Sequence, residues 1–169
     1  GGVIIASRWP IIATDHHVYS LASCSGDDCL AAKGIVYAQV VPDSGPNKNR
    51  KFHLFATHMQ AWPENHSYRL LQAQEFEKFI ASKNIPTSEP LFLMGDFNED
   101  LINNPNNLNV LLGLAYLNAT MPPIIGSQLY TADPSRNVLV GRDGSANSCW
   151  ESYESNWGDR DEDYCGPNC

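Results

Sequence analysis

The chain has 169 residues, 43% of them hydrophobic, and a formal charge of −8 from 11 basic and 19 acidic residues. This length and apolar content suffice for a sizeable core and predict one folded domain rather than a disordered chain. The acidic balance disfavours an extended grip on a nucleic-acid backbone, and no apolar run reaches the roughly 18 residues that cross a bilayer.

The first third of the chain has the pattern of a β meander. Short apolar or alternating runs, which are typical of strands, cover residues 2–6, 36–41 and 51–57, and residues 11–21 form a further extended stretch. Residues 42–47 are rich in turn formers and separate two of these runs as a hairpin-type loop does. We therefore expect consecutive strands in this part of the chain.

The hydrophobic period changes between residues 67 and 83. Four residues recur there at three- and four-residue steps, namely Leu70, Ala73, Phe76 and Ile80. This spacing predicts an amphipathic helix, which Asn65 or Ser67 could cap.

The apolar run at residues 91–94, between Pro90 and Gly95, predicts a short buried strand. A shorter helix is expected near residues 108–117. After about residue 124 the composition becomes loop-like, and the Cys- and Asp-rich segment 141–169 is expected to be a loop or insertion.

Five cysteines bear on the compartment of the protein. Cys24 and Cys29 flank a turn-forming stretch, so that a small disulfide-closed loop is sterically reasonable, whereas a zinc site lacks a second pair with Cys-x-x-Cys spacing. The odd count implies a free thiol or a partner beyond the chain for one of the others, which are Cys149, Cys165 and Cys169. N-glycosylation triplets begin at Asn65 and Asn118. Together these features predict a secreted protein.

Polar residues at the end of the predicted strand 91–94 could form a chemical site. Asp96 and Asn98 lie two residues apart and point the same way if the backbone stays extended. The Asp96 carboxylate could hold a hard cation or orient a water, and the Asn98 amide could donate to a phosphate oxygen. Gly95 would let the backbone approach a ligand closely. The alternative is an Asp/Asn turn without a chemical role.

His58 closes the predicted strand 51–57 and is the second candidate group. Its imidazolium could donate to a phosphate oxygen or assist a leaving group near neutral pH, although a lone histidine at this place is more often a packed core or edge residue. If the predicted helix is a crossover, the two strands are neighbours. His58 and Asp96 would then lie on one rim of the sheet.

Other polar residues are expected at the surface. Arg69 and Glu75 on the predicted helix could support the site from behind, but salt bridges on a solvated helix face are the commoner outcome. The histidines expected at the surface are His16, His17, His53 and His66.

The set of motifs resembles the endonuclease/exonuclease/phosphatase (DNase I-like) superfamily and, within it, the secreted bacterial-type neutral sphingomyelinases. The matching pieces are the Gly-Gly strand with its Ser-Arg-Trp-Pro turn at 1–11, the core strand at 33–38, the Thr-His-Met-Gln-Ala motif at 57–61 and Gly-Asp-Phe-Asn at 95–98. The agreement covers roughly residues 1–140. It implies a four-layer α/β sandwich with two mixed β-sheets, incomplete at both ends in this chain.

The resemblance also implies an activity, the Mg²⁺-dependent hydrolysis of sphingomyelin or a related phospholipid at a membrane surface, which releases ceramide and phosphocholine. In that scheme His58 contacts the phosphate or aids the leaving group, and Asn98 positions the phosphate. Asp96 organises the water and the catalytic histidine, or holds a second cation. A DNase I-like nuclease or a non-catalytic secreted binding domain is the alternative, but the acidic charge and the cysteine loop favour the lipid enzyme over a nucleic-acid partner.

Two parts of the family pattern are missing from the sequence. The principal metal ligand, a Glu, and an early Asn lie before the Gly-Gly strand in the family, and a closing Ser-Asp-His motif supplies the general base. Neither part is found between Gly1 and Cys169, and the chain opens without an initiator Met. We expect a partial or processed chain that is nearly inactive by itself.

Overall fold

The computed structural model describes residues 2–100, 104–123 and 125. The chain divides into two compact units, Gly1–Met121 and Pro122–Cys169, and every described helix and strand belongs to the first. The fold below is therefore the fold of the first unit.

Four strands form one mixed sheet in chain order. β1 (Ile11–Val18), β2 (Gly34–Val40) and β3 (Phe52–His58) are antiparallel neighbours, and β4 (Leu91–Asp96) runs parallel to β3. The antiparallel pairing of consecutive strands confirms the predicted meander, although residues 19–33 between β1 and β2 include two short 3₁₀ helices.

The strand predicted at residues 2–6 is wrong. These residues are irregular, and Ile4 is exposed. A short apolar run becomes a strand only where a neighbouring strand supplies hydrogen bonds, and none of the described strands pairs with it.

Helix α1 (His66–Ala81) connects β3 to β4 and confirms the predicted crossover. A parallel pair requires such a connection because a tight hairpin turn would reverse the chain. Asn65 occupies the N-cap position, but its side-chain amide donates to the Ala61 carbonyl (3.0 Å), and its side chain caps no backbone N–H of the helix.

The core lies between α1 and the sheet. Ala73 and Phe76 from the helix are fully buried, and Phe76 packs on Phe55 of β3 with ring centroids 6.0 Å apart. Other buried members of the same cluster are Tyr19, Ile35, Tyr37, Met59, Leu111 and Leu117. Truncating a buried phenylalanine such as Phe76 to alanine typically costs about 3–5 kcal/mol of stability, so this contact fixes α1 on the sheet.

Helix α2 (Pro105–Leu112) begins and ends earlier than the predicted helix at 108–117. Pro105 starts it because the fixed proline φ suits a first helical turn, and Gly113 ends it in an extended conformation. None of the described helices is long and apolar enough to span a membrane. The loop or insertion expected at 141–169, including its three cysteines, lies outside the described residues.

β4 has the predicted position but is not buried. Leu91, Phe92 and Met94 remain 37%, 47% and 38% exposed. β4 is the edge strand of the described sheet, so the described residues cover it on one side only. The expected sandwich with a second sheet stays a prediction, because the described residues form a single sheet.

Candidate active site

The carboxyl ends of β3 and β4 meet at one edge of the sheet. The parallel register sets His58 opposite Asp96, as the crossover prediction required. Their side chains approach to 3.9 Å between Nε2 and Oδ2 and are 40% and 64% exposed. This distance is too long for a hydrogen bond, so both groups remain accessible to a ligand.

Asn98 reaches the same edge through a turn. Its φ is +52°, its backbone N–H donates to Asp96 Oδ1 (2.9 Å), and its side-chain amide donates to the Met59 carbonyl (2.9 Å). The backbone is not extended at Asn98, so the condition under which Asp96 and Asn98 would point the same way is not met. Asparagine tolerates the left-handed region and forms such side-chain-to-backbone turns readily. Its second amide hydrogen and its amide oxygen can still serve a ligand.

Gly95 allows β4 to approach β3 closely. Its φ is +122°, and a Cβ at this position would lie 2.0 Å from the Thr57 carbonyl oxygen of β3. A close approach of the Gly95 backbone to a ligand stays a prediction. Any side chain here would push β4 off β3 and separate Asp96 from His58.

Lys33, just before β2, is a site residue that the sequence reasoning did not single out. Its buried ammonium donates to Asp28 Oδ2 (2.7 Å) and to the Met59 carbonyl (2.9 Å), and lies 3.4 Å from His58 Nε2. Because an ammonium has only donors, His58 Nε2 is the acceptor in this arrangement. A fixed positive charge thus lies directly beside His58.

Asp28 holds Lys33 in place. Its Oδ2 also accepts the Ala61 backbone N–H (2.7 Å). Partial burial raises the pKa of Asp28, but the hydrogen bonds from Lys33 and Ala61 outweigh it and leave this pKa below its usual value. Asp28 is therefore ionised at neutral pH and pairs with the Lys33 cation.

A disulfide joins Cys24 and Cys29, as predicted, and rules out the zinc alternative for this pair. It closes the 3₁₀ turn Gly26–Ala31, which carries Asp28. The sequence signal for the contact between Asp28 and Lys33 is an Asp within this small loop together with a Lys just before a core strand. Their contact depends on the loop geometry, which spacing alone does not give.

Several groups expected at the surface are buried or paired. Arg69 is 1% exposed and pairs with Glu99, so the solvated helix face predicted for it is wrong. His53 is also buried, and His66 contacts Glu99. Such groups can be buried because each finds hydrogen-bond partners inside the protein. Glu75 instead bonds a half-buried His17 and the Ser20 backbone, at the end of β1.

The donors at this edge fit part of a site for a hard divalent cation. Mg²⁺ prefers oxygen ligands and commonly takes only one or two carboxylates, with waters and substrate phosphate completing its shell. The exposed Asp96 carboxylate and the Asn98 amide oxygen are such donors. Across residues 2–100, 104–123 and 125, no group of three or more His, Cys, Asp or Glu side chains could hold a metal. Further ligands would have to come from elsewhere.

Comparison with known proteins gives one family. The model of the endonuclease/exonuclease/phosphatase family matches residues 1–161. Sphingomyelinase C from Listeria ivanovii is 30% identical over 146 residues, which are 83% of this chain and 40% of that protein. Sphingomyelinase C from Bacillus cereus is 36% identical over 149 residues, again 83% of this chain and 42% of that protein. The chain thus spans about two fifths of the length of these relatives.

Solved structures agree with this fold. The crystal structure of SmcL superposes with a TM-score of 0.66 at 30% identity, over 80% of this chain and 46% of that chain. The structure of beta toxin from Staphylococcus aureus, determined with bound magnesium ions, superposes with a TM-score of 0.65 at 27% identity. The match covers 80% of this chain and 45% of that chain. The predicted α/β class with a mixed sheet is confirmed.

Proposed function

Because the chain belongs to the endonuclease/exonuclease/phosphatase family, we propose that it carries part of a Mg²⁺-dependent phosphodiesterase that hydrolyses sphingomyelin to ceramide and phosphocholine. The observation that carries this proposal is the convergence of His58, Asp96 and Asn98 at the ends of two parallel strands. The relatives named sphingomyelinase C support the choice of substrate.

Hydrolysis of the phosphodiester has three parts, and the side chains at this edge can assist them. Water attacks phosphorus, the bond from phosphorus to the ceramide oxygen breaks, and that oxygen takes a proton. His58 contacts the phosphate or, in its imidazolium form, in which Nε2 no longer accepts from Lys33, donates a proton to the leaving oxygen. Asn98 donates its second amide hydrogen to the phosphate, and Asp96 orients the attacking water. A bound divalent cation, for which Asp96 is the candidate ligand, would polarise the phosphate.

Lys33 supports the same chemistry without leaving its place. Its ammonium is held by Asp28 and the Met59 carbonyl, and it lies beside His58 Nε2. A fixed cation at this point orients the imidazole and favours negative charge nearby, as phosphate binding requires. The pair Asp28–Lys33 therefore belongs to the proposed machinery.

In this proposal the protein acts outside the cell, and its substrate lies in a membrane surface. The Cys24–Cys29 disulfide supports this location, since such bonds persist in oxidising compartments. The formal charge of −8 argues against an extended nucleic-acid partner.

Substrate choice is tested with the full-length protein. Hydrolysis of sphingomyelin, of a lysophospholipid and of DNA is measured with Mg²⁺ and with excess EDTA. We expect phosphocholine release from sphingomyelin that EDTA abolishes. Cleavage of DNA alone would establish a nuclease, and binding of sphingomyelin vesicles without any hydrolysis would establish a binding domain. We propose that the 169-residue chain alone is nearly inactive, which robust hydrolysis by that chain would contradict.

A further inference from the structure

Two loops follow the candidate site residues His58 and Asp96, and a buried ion pair links these loops. Residues 59–63 follow His58, and residues 97–100 follow Asp96. Arg69 lies on α1, Glu99 belongs to the second loop, and each side chain is only 1% exposed. Neither side chain can reach a substrate in this arrangement.

Arg69 binds the loop after β3 through its backbone. Nη1 donates to the carbonyls of Gln60 (3.1 Å) and Trp62 (2.7 Å), and Nη2 donates to the carbonyl of Pro63 (3.3 Å). Trp62 has a φ of +76°, a strained value for a non-glycine residue. The guanidinium therefore holds in place a conformation that this loop would otherwise leave.

Glu99 binds the loop after β4 to the same guanidinium. Arg69 Nε donates to Glu99 Oε1 (2.8 Å) and Nη2 to Oε2 (3.4 Å). All five N–H donors of Arg69 thus have partners, three on one loop and two on the other. His66 Nδ1 contacts Glu99 Oε1 as well (2.7 Å). One side chain fixes the distance between the segments that carry His58 and Asn98.

We propose that Arg69 and Glu99 are positioning residues that set the separation of His58 and Asn98. This inference rests on the proposed phosphodiesterase function. Burying an ion pair has a large desolvation cost, and a well-packed apolar pair is often equally stable, so stability alone is a weak reason for its presence. A rigid bridge between two catalytic loops gives it a role, because small displacements of reacting groups reduce rates strongly.

A double variant of the full-length protein, assayed at a temperature where it is folded, tests the proposal. Arg69→Met combined with Glu99→Leu removes both charges and leaves no buried charge unpaired. Methionine cannot donate to the carbonyls of Gln60, Trp62 and Pro63, so we expect a lower thermal midpoint, and kcat for sphingomyelin per folded molecule should fall about 100-fold. KM should change less than kcat. Glu99→Gln keeps the shape of the side chain and weakens the bridge, so it should show a smaller loss of kcat.

Arg69→Lys and Glu89→Gln complete the set. Lysine keeps the charge but cannot reproduce the planar fork with its five donors, so it should not rescue kcat. Glu89 pairs with His53 and Lys51 at the opposite end of the sheet, and its removal should leave kcat unchanged. This control shows the effect of losing a carboxylate away from the two loops.

Histidine ring NMR shifts provide a readout that does not require turnover. The His58 ring signal should move in the double variant and in Glu99→Gln, but not in Glu89→Gln. Wild-type kcat in the folded double variant would overturn the positioning role. An unchanged His58 signal in both the double variant and Glu99→Gln would overturn it as well. If the wild type fails to hydrolyse sphingomyelin, the proposed function fails, while the His58 signal still decides the positioning.

Discussion

Each end of β3 carries a histidine that faces a carboxylate from the chain after α1, and the two pairs differ in separation and in exposure. His53 and Glu89 approach to 2.7 Å and are 3% and 22% exposed. His58 and Asp96 stay 3.9 Å apart and are 40% and 64% exposed. We call the buried His53–Glu89 pair the closed pair and the exposed His58–Asp96 pair the open pair, and we name the two ends of β3 accordingly.

The closed pair has its hydrogen-bonding capacity filled from within. His53 Nδ1 bonds the Tyr37 hydroxyl (2.9 Å), and Nε2 donates to Glu89. A carboxylate and a hydroxyl on the two ring nitrogens satisfy a neutral imidazole completely. At the open end, Lys33 lies beside His58, and Asp96 faces solvent. The difference indicates a structural histidine at one end and a chemical one at the other.

The largest expected effect separates the two histidines directly. His58→Gln should lower kcat by about 1,000-fold at an unchanged thermal midpoint, since a positioned acid–base group contributes about 10²–10⁴-fold. His53→Gln should instead keep kcat and lose about 2 kcal/mol of unfolding free energy, because a buried network is broken. Activity per folded molecule and urea unfolding measure the two effects. Equal losses of kcat in both variants would remove the distinction between the pairs.

Lys33→Met should produce the next largest effect. It removes the cation beside His58 and leaves Asp28 with the Ala61 N–H as a remaining partner. We expect kcat to fall about 100-fold, as when one preorganised electrostatic donor is lost. The matched control is Lys51→Met, at the closed end, where the ammonium is 50% exposed and 3.7 Å from Glu89. Surface pairs of this kind contribute little, so a comparable loss of kcat in the control would contradict the assignment.

Removal of the disulfide should have a smaller effect on the open end. Replacing Cys24 and Cys29 by serine frees the turn Gly26–Ala31, which carries Asp28. We expect a loss of about 2 kcal/mol in unfolding free energy from the small closed loop, and a several-fold lower kcat. Urea unfolding and sphingomyelin hydrolysis under identical conditions measure both. An unaltered kcat in the folded variant would show that Asp28 keeps its place without the disulfide.

The smallest expected effect is a pH dependence that arises at the closed end. The hydrogen bond from His53, together with the Lys51 charge, lowers the pKa of Glu89 below its ordinary value of 4.5. A lowered pKa in the folded state means that Glu89 stabilises the fold above that value and that this contribution disappears as the pH falls through the folded-state pKa. In Glu89→Gln, urea midpoints between pH 3 and 7 should therefore vary less than in the wild type. Identical profiles would contradict the contribution of Glu89.

The parts of the fold that depend on local pattern could be predicted from the sequence. Alternation and turn residues gave the meander, and the three- and four-residue spacing gave α1. The crossover then placed His58 beside Asp96. The strand expected at 2–6 failed because a strand requires a partner, which local pattern does not supply.

The parts that depend on long-range contacts could not be predicted. Lys33 reaches His58 through the shape of a cysteine-closed turn, and Arg69 becomes buried because Glu99 and three backbone carbonyls accept its hydrogens. Asn98 leaves the extended conformation to bond the Met59 carbonyl. In each case the side chain's partner is distant in sequence or is backbone, and neither is visible in residue spacing.

The central claim is that the open pair at the ends of β3 and β4 belongs to a phosphodiesterase site. Its most direct test is phosphocholine release from sphingomyelin, with saturating Mg²⁺, by the full-length wild type and by Asp96→Asn. Asp96 is largely exposed, so its replacement should not change the thermal midpoint. The account predicts a loss of about 1,000-fold or more in kcat, as expected for a group that acts on the reacting atoms. Activity within about threefold of the wild type, well below the smallest acid–base contribution of about 10²-fold, would contradict it.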